Sequence, residues 1–459
     1  MNILRAVKLQ PAQIIIIGFL VLILLGSVLL ATPFATRSGH PVPYLDALFT
    51  STSAVCVTGL VVVDTGTVYS LFGQIVVILL IQSGGLGVMT VMSLAFLLVK
   101  KRITLSERMV IKESFNEFDL SGLVKVILKV IKVTLAAEVL GAMLLAIRFI
   151  PLFGFQKGIF FSLFHAISAF CNAGFDVLGP VSAPYASLGM FANEPLVILT
   201  IAFLIISGGL GFVVISHIVS PARIRSRQGI SRYARLVLMT TAALIVVGMV
   251  SVFLFEQSNP KTLGNMSFGQ KLLNSLFQSV TPRTAGYATF DQGALLPATK
   301  FIVTILMFIG ASPAGTGGGI KTTTFVIVLM FLASSMLDKR DVTTKDRRIA
   351  TDTVRRAVTI TLMALLLVIA ASLALMGIEG HRGGLFTSEN IVFEVVSAFG
   401  TVGLTTGITP LLSSASRLIL IFVMYVGRVG LLTLVVALSL RSRKDDANIR
   451  YPEERFMVG

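Results

Sequence analysis

Charge, cysteine and histidine are all scarce in this chain, and each shortage removes a class of function. Only 13% of the 459 residues are charged, against 55% hydrophobic; soluble domains carry roughly 25% charged residues. A soluble globular protein is therefore excluded, and a polytopic membrane protein is indicated. The two cysteines, Cys56 and Cys171, provide neither a disulfide framework nor a metal ligand set, and read as small packing residues. The four histidines, His40, His165, His217 and His381, are scattered, and no Ser/His/Asp set or nucleotide motif accompanies them, so an enzyme is not expected. No low-complexity segment and no separate soluble domain occur. The net charge of +16 comes from basic residues in short loops between apolar runs, the pattern of membrane orientation rather than of nucleic-acid binding.

What the chain has is a repeated short stretch. Ala54-Val55-Cys56-Val57-Thr58-Gly59-Leu60 recurs as Ala169-Phe170-Cys171-Asn172-Ala173-Gly174-Phe175, as Pro282-Arg283-Thr284-Ala285-Gly286-Tyr287 and as Ala398-Phe399-Gly400-Thr401-Val402-Gly403-Leu404. The four glycines lie 115, 112 and 117 residues apart, which marks four tandem units. Phe49, Phe164 and Phe393 each precede their glycine by ten residues; in the third unit Phe277 precedes by nine. Glycine admits positive φ, so successive carbonyls can turn toward one axis. Four such segments would form a ring of carbonyl oxygens able to replace the water shell of a monovalent cation. Turns between helices are the alternative for any one stretch; four at near-equal spacing favour the ring.

Each unit reads as a spanning helix, a half-length helix, a glycine stretch and a second spanning helix. Spans are expected near 12–32 and 73–99, 123–148 and 194–219, 233–255 and 298–337, and 354–377 and 414–440. The half-length runs, 44–56, 157–170, 266–281 and 386–399, are too short to cross a core that needs about 20 residues. The run Ile14 to Ala31 is long enough to span and is not read as a cleavable signal. Gly84-Gly85-Leu86-Gly87 and Gly208-Gly209-Leu210-Gly211 in second spans are read as close-packing stripes. The fold class is all-α: four tandem M1-P-M2 units, with eight transmembrane helices and four half-length pore helices, in a pseudo-fourfold arrangement. The units are placed at 1–121 with a cytoplasmic connection, 122–231, 232–351 with an intramembrane loop at 311–321, and 352–440, followed by a cytoplasmic tail at 441–459.

Basic residues follow every second span: Lys100, Lys101 and Arg102; Arg223, Arg225, Arg227, Arg232 and Arg235; Lys339, Arg340, Lys345, Arg347, Arg348, Arg355 and Arg356; Arg441, Arg443 and Lys444. The positive-inside rule makes that side cytoplasmic, along with both termini. The half-length helices then enter from outside, with their partially negative C-termini toward the membrane centre, which favours a cation there.

These residues resemble the Trk/Ktr/HKT potassium transporters, most closely the bacterial Ktr translocating subunit. The four glycine stretches, Val280-Thr281-Pro282-Arg283-Thr284-Ala285-Gly286, Asp46-Ala47-Leu48-Phe49-Thr50 and the tail Asn448-Ile449-Arg450-Tyr451-Pro452 carry the resemblance over nearly the whole chain. It implies potassium uptake across the plasma membrane by a single-chain pseudo-tetramer. The family forms homodimers with one pore per subunit, gated by a cytoplasmic ring of nucleotide-binding RCK-type subunits. No cofactor is expected in this chain: potassium is the substrate, any nucleotide sits on the partner, and sodium is a candidate stimulant. In plant relatives a serine at the first filter glycine goes with sodium transport, so Gly59 favours potassium. The filter residues become Val57, Thr58 and Gly59; Asn172, Ala173 and Gly174; Thr284, Ala285 and Gly286; and Thr401, Val402 and Gly403. One glycine per unit, without Thr-Val-Gly-Tyr-Gly, predicts fewer well-formed sites and looser selectivity than in a potassium channel.

The 40 residues from Ala298 to Leu337 would make a helix of about 60 Å, twice the bilayer core. Pro313, Ala314, Gly315, Thr316, Gly317, Gly318, Gly319 and Lys321 break it at mid-depth. A packed kink and a flexible flap below the filter both fit; the flap, which the family resemblance implies, is preferred. The phosphate-loop pattern fails because Ile320 separates Gly319 from Lys321. Arg428, deep in the last span, either bonds carbonyls of the 311–321 break or acts as an electrostatic barrier. Arg283 is expected to point away and brace its loop. Asn172 either offers an oxygen or fixes its turn, and Glu138 pairs or faces the interior. Asp46, Asp64, Asp176 and Asp291 either enrich cations at the outer mouth or are solvated loop acids. Ion-coupled transport at broken helices is a second hypothesis and a membrane scaffold a third. The parallel, pore-like units argue against the second, and buried glycine stretches would have no purpose in the third.

Overall fold

The computed structural model describes residues 11–87, 123–218, 231–339, 341–344, 347–431 and 433–434. The expected ends of the second spans beyond 87 and 434, the basic residues at 100–102, 223–227 and 441–444, and the tail lie outside the described residues.

The first quarter contains α1 (Pro11–Leu30), α2 (Tyr44–Val55), the single turn α3 (Thr65–Val68) and α4 (Leu71–Leu86). The second contains α5 (Leu123–Phe153), α6 (Phe155–Phe170), α7 (Pro195–Gly209) and α8 (Phe212–Ile218). The third contains α9 (Arg232–Glu256), α10 (Phe268–Val280), α11 (Pro297–Phe308) and α12 (Thr322–Met336). The last contains α13 (Thr351–Glu379), α14 (Ser388–Gly400) and α15 (Ser414–Val429). A two-residue antiparallel ladder, Thr343–Thr344 with Arg347–Arg348, and the isolated bridges Thr36 to Tyr69 and Ile309 to Ile320 are the β pairings among the described residues.

Local chemistry sets the helix starts. Ser70, Ser231, Thr387 and Ser413 cap α4, α9, α14 and α15 by accepting from a backbone N–H three residues on. Pro195 and Pro297 open α7 and α11, where a missing N–H is harmless. Among the described residues four helices are long and apolar enough to cross a membrane, Ala12–Leu30, Ile127–Phe153, Arg232–Glu256 and Thr351–Arg382, or five if the bent pair α7 and α8 is one span. Their outer faces carry exposed aliphatic side chains such as Leu25, Ile147, Val246 and Leu366, the surface a bilayer covers.

The short helices α2, α6, α10 and α14 are the core. Phe49, Phe164, Phe277 and Phe393, the lead-in phenylalanines, are all fully buried. Three of the short helices, α2, α6 and α14, pack between the helix before them and the helix after their glycine stretch; α10 packs on α9 and on α7 of the second quarter. The second helix of three hairpins makes room for the short helix with glycine. A Cβ on Gly84, Gly208 or Gly427 would lie 1.9, 1.9 or 2.0 Å from the carbonyl oxygen of Val55, Phe170 or Phe399, the residues at or near the ends of α2, α6 and α14.

The span expected at 194–219 is not straight. It is α7 and α8, bent by 103° at Leu210-Gly211. Gly208 and Gly209 do more than pack: their carbonyls leave the helix ladder to accept from Thr316 N at 3.2 Å and Ser312 N at 3.0 Å. Gly211 takes φ +87° at the corner.

The outer ends of the hairpins are tied in each case, a feature the sequence reading missed. Glu256, fully buried, accepts from Leu296 N at 2.9 Å, from Thr262 Oγ1 at 2.6 Å and from Asn259 Nδ2 at 2.7 Å. Glu379 plays the same part, accepting from Ser413 N at 2.8 Å and Ser416 Oγ at 2.6 Å. Arg148 pairs with Glu194 in the second hairpin, and Ser70 bonds Phe34 O at 2.6 Å in the first. The available signal was an acid at the outer end of an apolar run.

Candidate functional site

The four glycine stretches meet one another in a closed cycle. A Cβ on Gly59 would stand 2.4 Å from the Ala173 carbonyl oxygen; one on Gly174, 2.5 Å from that of Ala285; one on Gly286, 2.4 Å from that of Val402; and one on Gly403, 2.2 Å from that of Thr58. The same probes lie 3.2, 3.1, 3.1 and 2.9 Å from the Cα of the next glycine in the cycle. No side chain fits at any of the four.

The backbone repeats as closely. Gly59, Gly174, Gly286 and Gly403 take φ of +90, +69, +78 and +94°. Two residues earlier Val57, Asn172, Thr284 and Thr401 are also left-handed, at +55, +58, +73 and +51°. Thr58, Ala173, Ala285 and Val402 between them are not. Left-handed backbone at a non-glycine residue costs about 1–2 kcal/mol, so the surroundings must hold it. They do: Thr58 N donates to Ser53 O at 2.7 Å, Ala173 N to Ser168 O at 2.8 Å, Ala285 N to Thr281 O at 2.9 Å and Val402 N to Ser397 O at 2.8 Å.

The side chains of those same four residues form a second brace. Gly59 N donates to Ser53 Oγ at 3.0 Å and Gly403 N to Ser397 Oγ at 3.1 Å. Ser168 Oγ donates to Phe175 O at 2.8 Å and Thr281 Oγ1 to Tyr287 O at 2.6 Å. Their signal was present: Ser53, Ser168 and Ser397 stand six residues before their glycine, and Thr281 stands five, the same one-residue deletion that shortens the Phe277 lead-in.

Polar ties on one side of the cycle close it in the same order. Tyr185 N donates to Asp64 Oδ1 at 3.0 Å, joining quarters one and two. Leu188 N donates to Ala288 O at 2.9 Å, joining two and three. Lys300 Nζ donates to Asn390 Oδ1 at 3.2 Å, joining three and four. Arg417 pairs with Asp46 at 2.5 Å, joining four and one. Asp46 is thus engaged in an ion pair. Asp64 is a helix cap, bonding Thr67 N at 2.8 Å, and Asp291 likewise bonds Gly293 N at 2.8 Å. Asp176, two residues past Gly174, bonds Leu178 N at 3.1 Å; burial, then the charge of Asp64, raises its carboxyl to about 7.

The break at 309–321 lies against the other face of the cycle. Gly318 N donates to Thr401 Oγ1 at 2.9 Å, and a Cβ on Gly317 would collide with Thr284 Oγ1 at 1.9 Å. Phe212 N donates to Ala314 O at 3.0 Å, next to Pro313, so the loop is stapled to the corner between α7 and α8. Lys321 Nζ donates to Gly317 O at 2.6 Å, within the loop. Gly315 N closes a turn onto Ser312 O at 3.1 Å, and Gly319 takes φ +66°. Arg428 NH1 donates to Thr316 O, and its NH2 to Gly84 O and, at 3.4 Å, to Gly85 O. Of the two roles open for Arg428, carbonyl bonding to the break is present.

Asn172 fixes its turn. Its amide nitrogen reaches Ala169 O at 3.2 Å and its oxygen accepts from Thr284 Oγ1 at 3.0 Å, tying the second stretch to the third. Arg283 turns from the cycle and donates to Thr241 O at 3.4 Å on α9. Glu138, 3% exposed, faces the interior, with one oxygen unpartnered. Among the described residues no group of His, Cys, Asp and Glu could hold a metal ion.

A closed backbone cycle, reached by four buried short helices and surrounded by long apolar helices, is a membrane-protein architecture. The chain belongs to the TrkH family of cation transport proteins, which matches residues 9–448. It is a multi-pass membrane transporter, not an enzyme. It is 41% identical to the potassium/sodium uptake protein NtpJ of Enterococcus hirae over 98% of both chains. It is 39% identical to the Ktr system potassium uptake protein B of Bacillus subtilis, over 100% of this chain and 99% of that one. The fold matches the crystal structure of the potassium transporter TrkH from Vibrio parahaemolyticus with TM-score 0.69 at 17% identity, covering 93% of this chain and 86% of that one.

Proposed function

We propose that this chain takes up potassium across the plasma membrane through a channel-like pore. The four quarters act as M1-P-M2 units about one axis, with the boundaries the sequence suggests. The carbonyls of Val57, Thr58 and Gly59, and of their counterparts 172–174, 284–286 and 401–403, form the filter and replace part of the ion's water shell. The observation that carries this reading is the cyclic contact of Gly59, Gly174, Gly286 and Gly403. The short-helix C-termini, each leading into this cycle, add partial negative charge where a cation would rest.

Residues 313–319 with Lys321 and Arg428 serve as the gate. The loop lies across the Thr284 and Thr401 end of the filter, and two basic side chains hold its carbonyls. The names of the two relatives support potassium as substrate, and NtpJ's also names sodium. Both termini are cytoplasmic, the subunit works as a homodimer, and a nucleotide-binding RCK-type ring moves the loop; the chain itself needs no cofactor.

The test is potassium uptake by transport-deficient cells that also express a cytoplasmic partner. The unaltered chain should restore growth at low potassium, and Gly59→Ser should lower potassium over sodium preference. Failure of the unaltered chain to restore growth, though present in the membrane, would refute the assignment.

A further inference from the structure

Three residues before each filter glycine stand Cys56, Cys171, Arg283 and Gly400. Each occupies a slot against the second helix of the preceding unit. Cys171 Sγ would lie 2.6 Å from a Cβ on Gly85, and Gly400 packs on Met307. Cys56 lies near the charge of Arg428. Arg283 shares a cavity with Gly209. Beside Arg283 a cavity remains.

That slot, between α7, α9 and the third filter stretch, is walled by Ile205, Ile206 and Ile245 and floored by Gly209. Two polar side chains line it, Arg283 and Thr241, exposed by 7% and 6%. Arg283 Nε has no partner, and its guanidinium makes one long bond, to Thr241 O at 3.4 Å. The Thr241 hydroxyl, which within a helix commonly bonds a carbonyl one turn back, is also unpartnered. Among the described residues Arg283 forms no ion pair.

A guanidinium offers five N–H donors and accepts nothing. Buried without a counter-charge it is costly. The missing complement is therefore a small group that accepts and is negative. Aliphatic walls offer nothing to the several oxygens of a phosphate or carboxylate. A water molecule would take a hydrogen bond but leave the charge unmatched. We propose that the slot binds one small monovalent anion, a halide such as chloride, held by Arg283 and the Thr241 hydroxyl. Given the filter assignment above, its consequence is electrostatic. Potassium at Thr284, the next residue, meets a neutral pair rather than a bare cation.

The test needs no transport, so it stands apart from the potassium assignment. The full chain is purified in bromide instead of chloride, and its structure is determined with anomalous data at the bromine edge. A single peak in contact with Arg283 and Thr241 is expected, severalfold weaker in Thr241→Val and absent in Arg283→Gln. No peak in the unaltered protein, or density there that is the same in bromide and chloride, means water only and overturns the proposal. A peak undiminished in either variant overturns the assigned ligands.

Discussion

Replacing Gly174 by alanine tests the ring directly, because the cost of the added methyl can be worked from the structure. The new Cβ would lie 2.5 Å from the Ala285 carbonyl oxygen, about 1 Å inside ordinary contact, and its residue would keep φ +69°. The left-handed backbone costs alanine about 1–2 kcal/mol. Relieving the collision costs about 1–3 kcal/mol more, and it displaces the oxygen proposed to hold the ion. Gly39→Ala separates the two terms. Gly39 has φ +72° with nothing within 4 Å, so only the backbone term applies. Potassium uptake per molecule, in transport-deficient cells with membrane abundance measured in parallel, should fall about 10- to 100-fold for Gly174→Ala, since 1.36 kcal/mol is tenfold. Gly39→Ala should lower thermal stability in detergent yet leave uptake per molecule unchanged. Gly174→Ala uptake within twofold of the unaltered chain would refute the claim that this contact shapes the conducting site.

Three further outcomes follow from other contacts. Arg428→Gln removes a charged donor from Thr316 O, Gly84 O and Gly85 O; such bonds contribute about 1.5–3 kcal/mol, so potassium flux through vesicles without the regulatory partner should rise about tenfold, and equal flux would clear Arg428 of any gating part. Asp46→Asn leaves Arg417 with only its Leu412 and Pro410 carbonyls, and should destabilise the detergent-solubilised protein by about 1–3 kcal/mol; an unmoved melting temperature would show the pair to be dispensable. Asp176, raised from 3.8 to about 7 by burial and then by Asp64, is ionised above that value. Its folded pKa exceeds the unfolded one, so its contribution favours the folded state fully below about 3.8 and is lost as pH rises through about 7. For uptake the sign is opposite: half-saturating potassium should rise as external pH falls from 8 to 6, and Asp176→Asn should flatten that dependence. An equal pH response in the variant would remove Asp176 from the mouth.

The site was legible where spacing alone carried it. The four glycines, the lead-in phenylalanines and the break after Phe308 depend on local backbone needs, and local needs leave marks in sequence. What was hidden depends on partners distant in the chain. The bend between α7 and α8 arises because Ser312 N and Thr316 N, over a hundred residues away, draw the Gly208 and Gly209 carbonyls out of their ladder; the glycine pattern itself fits equally well with a straight, close-packed helix. Asp46 looked like a free acid because Arg417 lies 371 residues on. The Ser53, Ser168, Thr281 and Ser397 braces were visible as a repeat, but a serine in an apolar helix has no distinctive character until its acceptor or donor is known.

The unequal slots beside the glycine cycle have a consequence for how such a molecule could arise. A homotetramer must place any arginine at all four equivalent positions or at none, and four guanidiniums around a narrow conduit would repel its cargo. Fusing the copies into one polypeptide lifts that restriction. Arg283 stands in one slot, and Cys56, Cys171 and Gly400 leave the other three without a charged side chain of their own. Concatenation thus lets each quarter specialise while the carbonyl ring stays nearly regular.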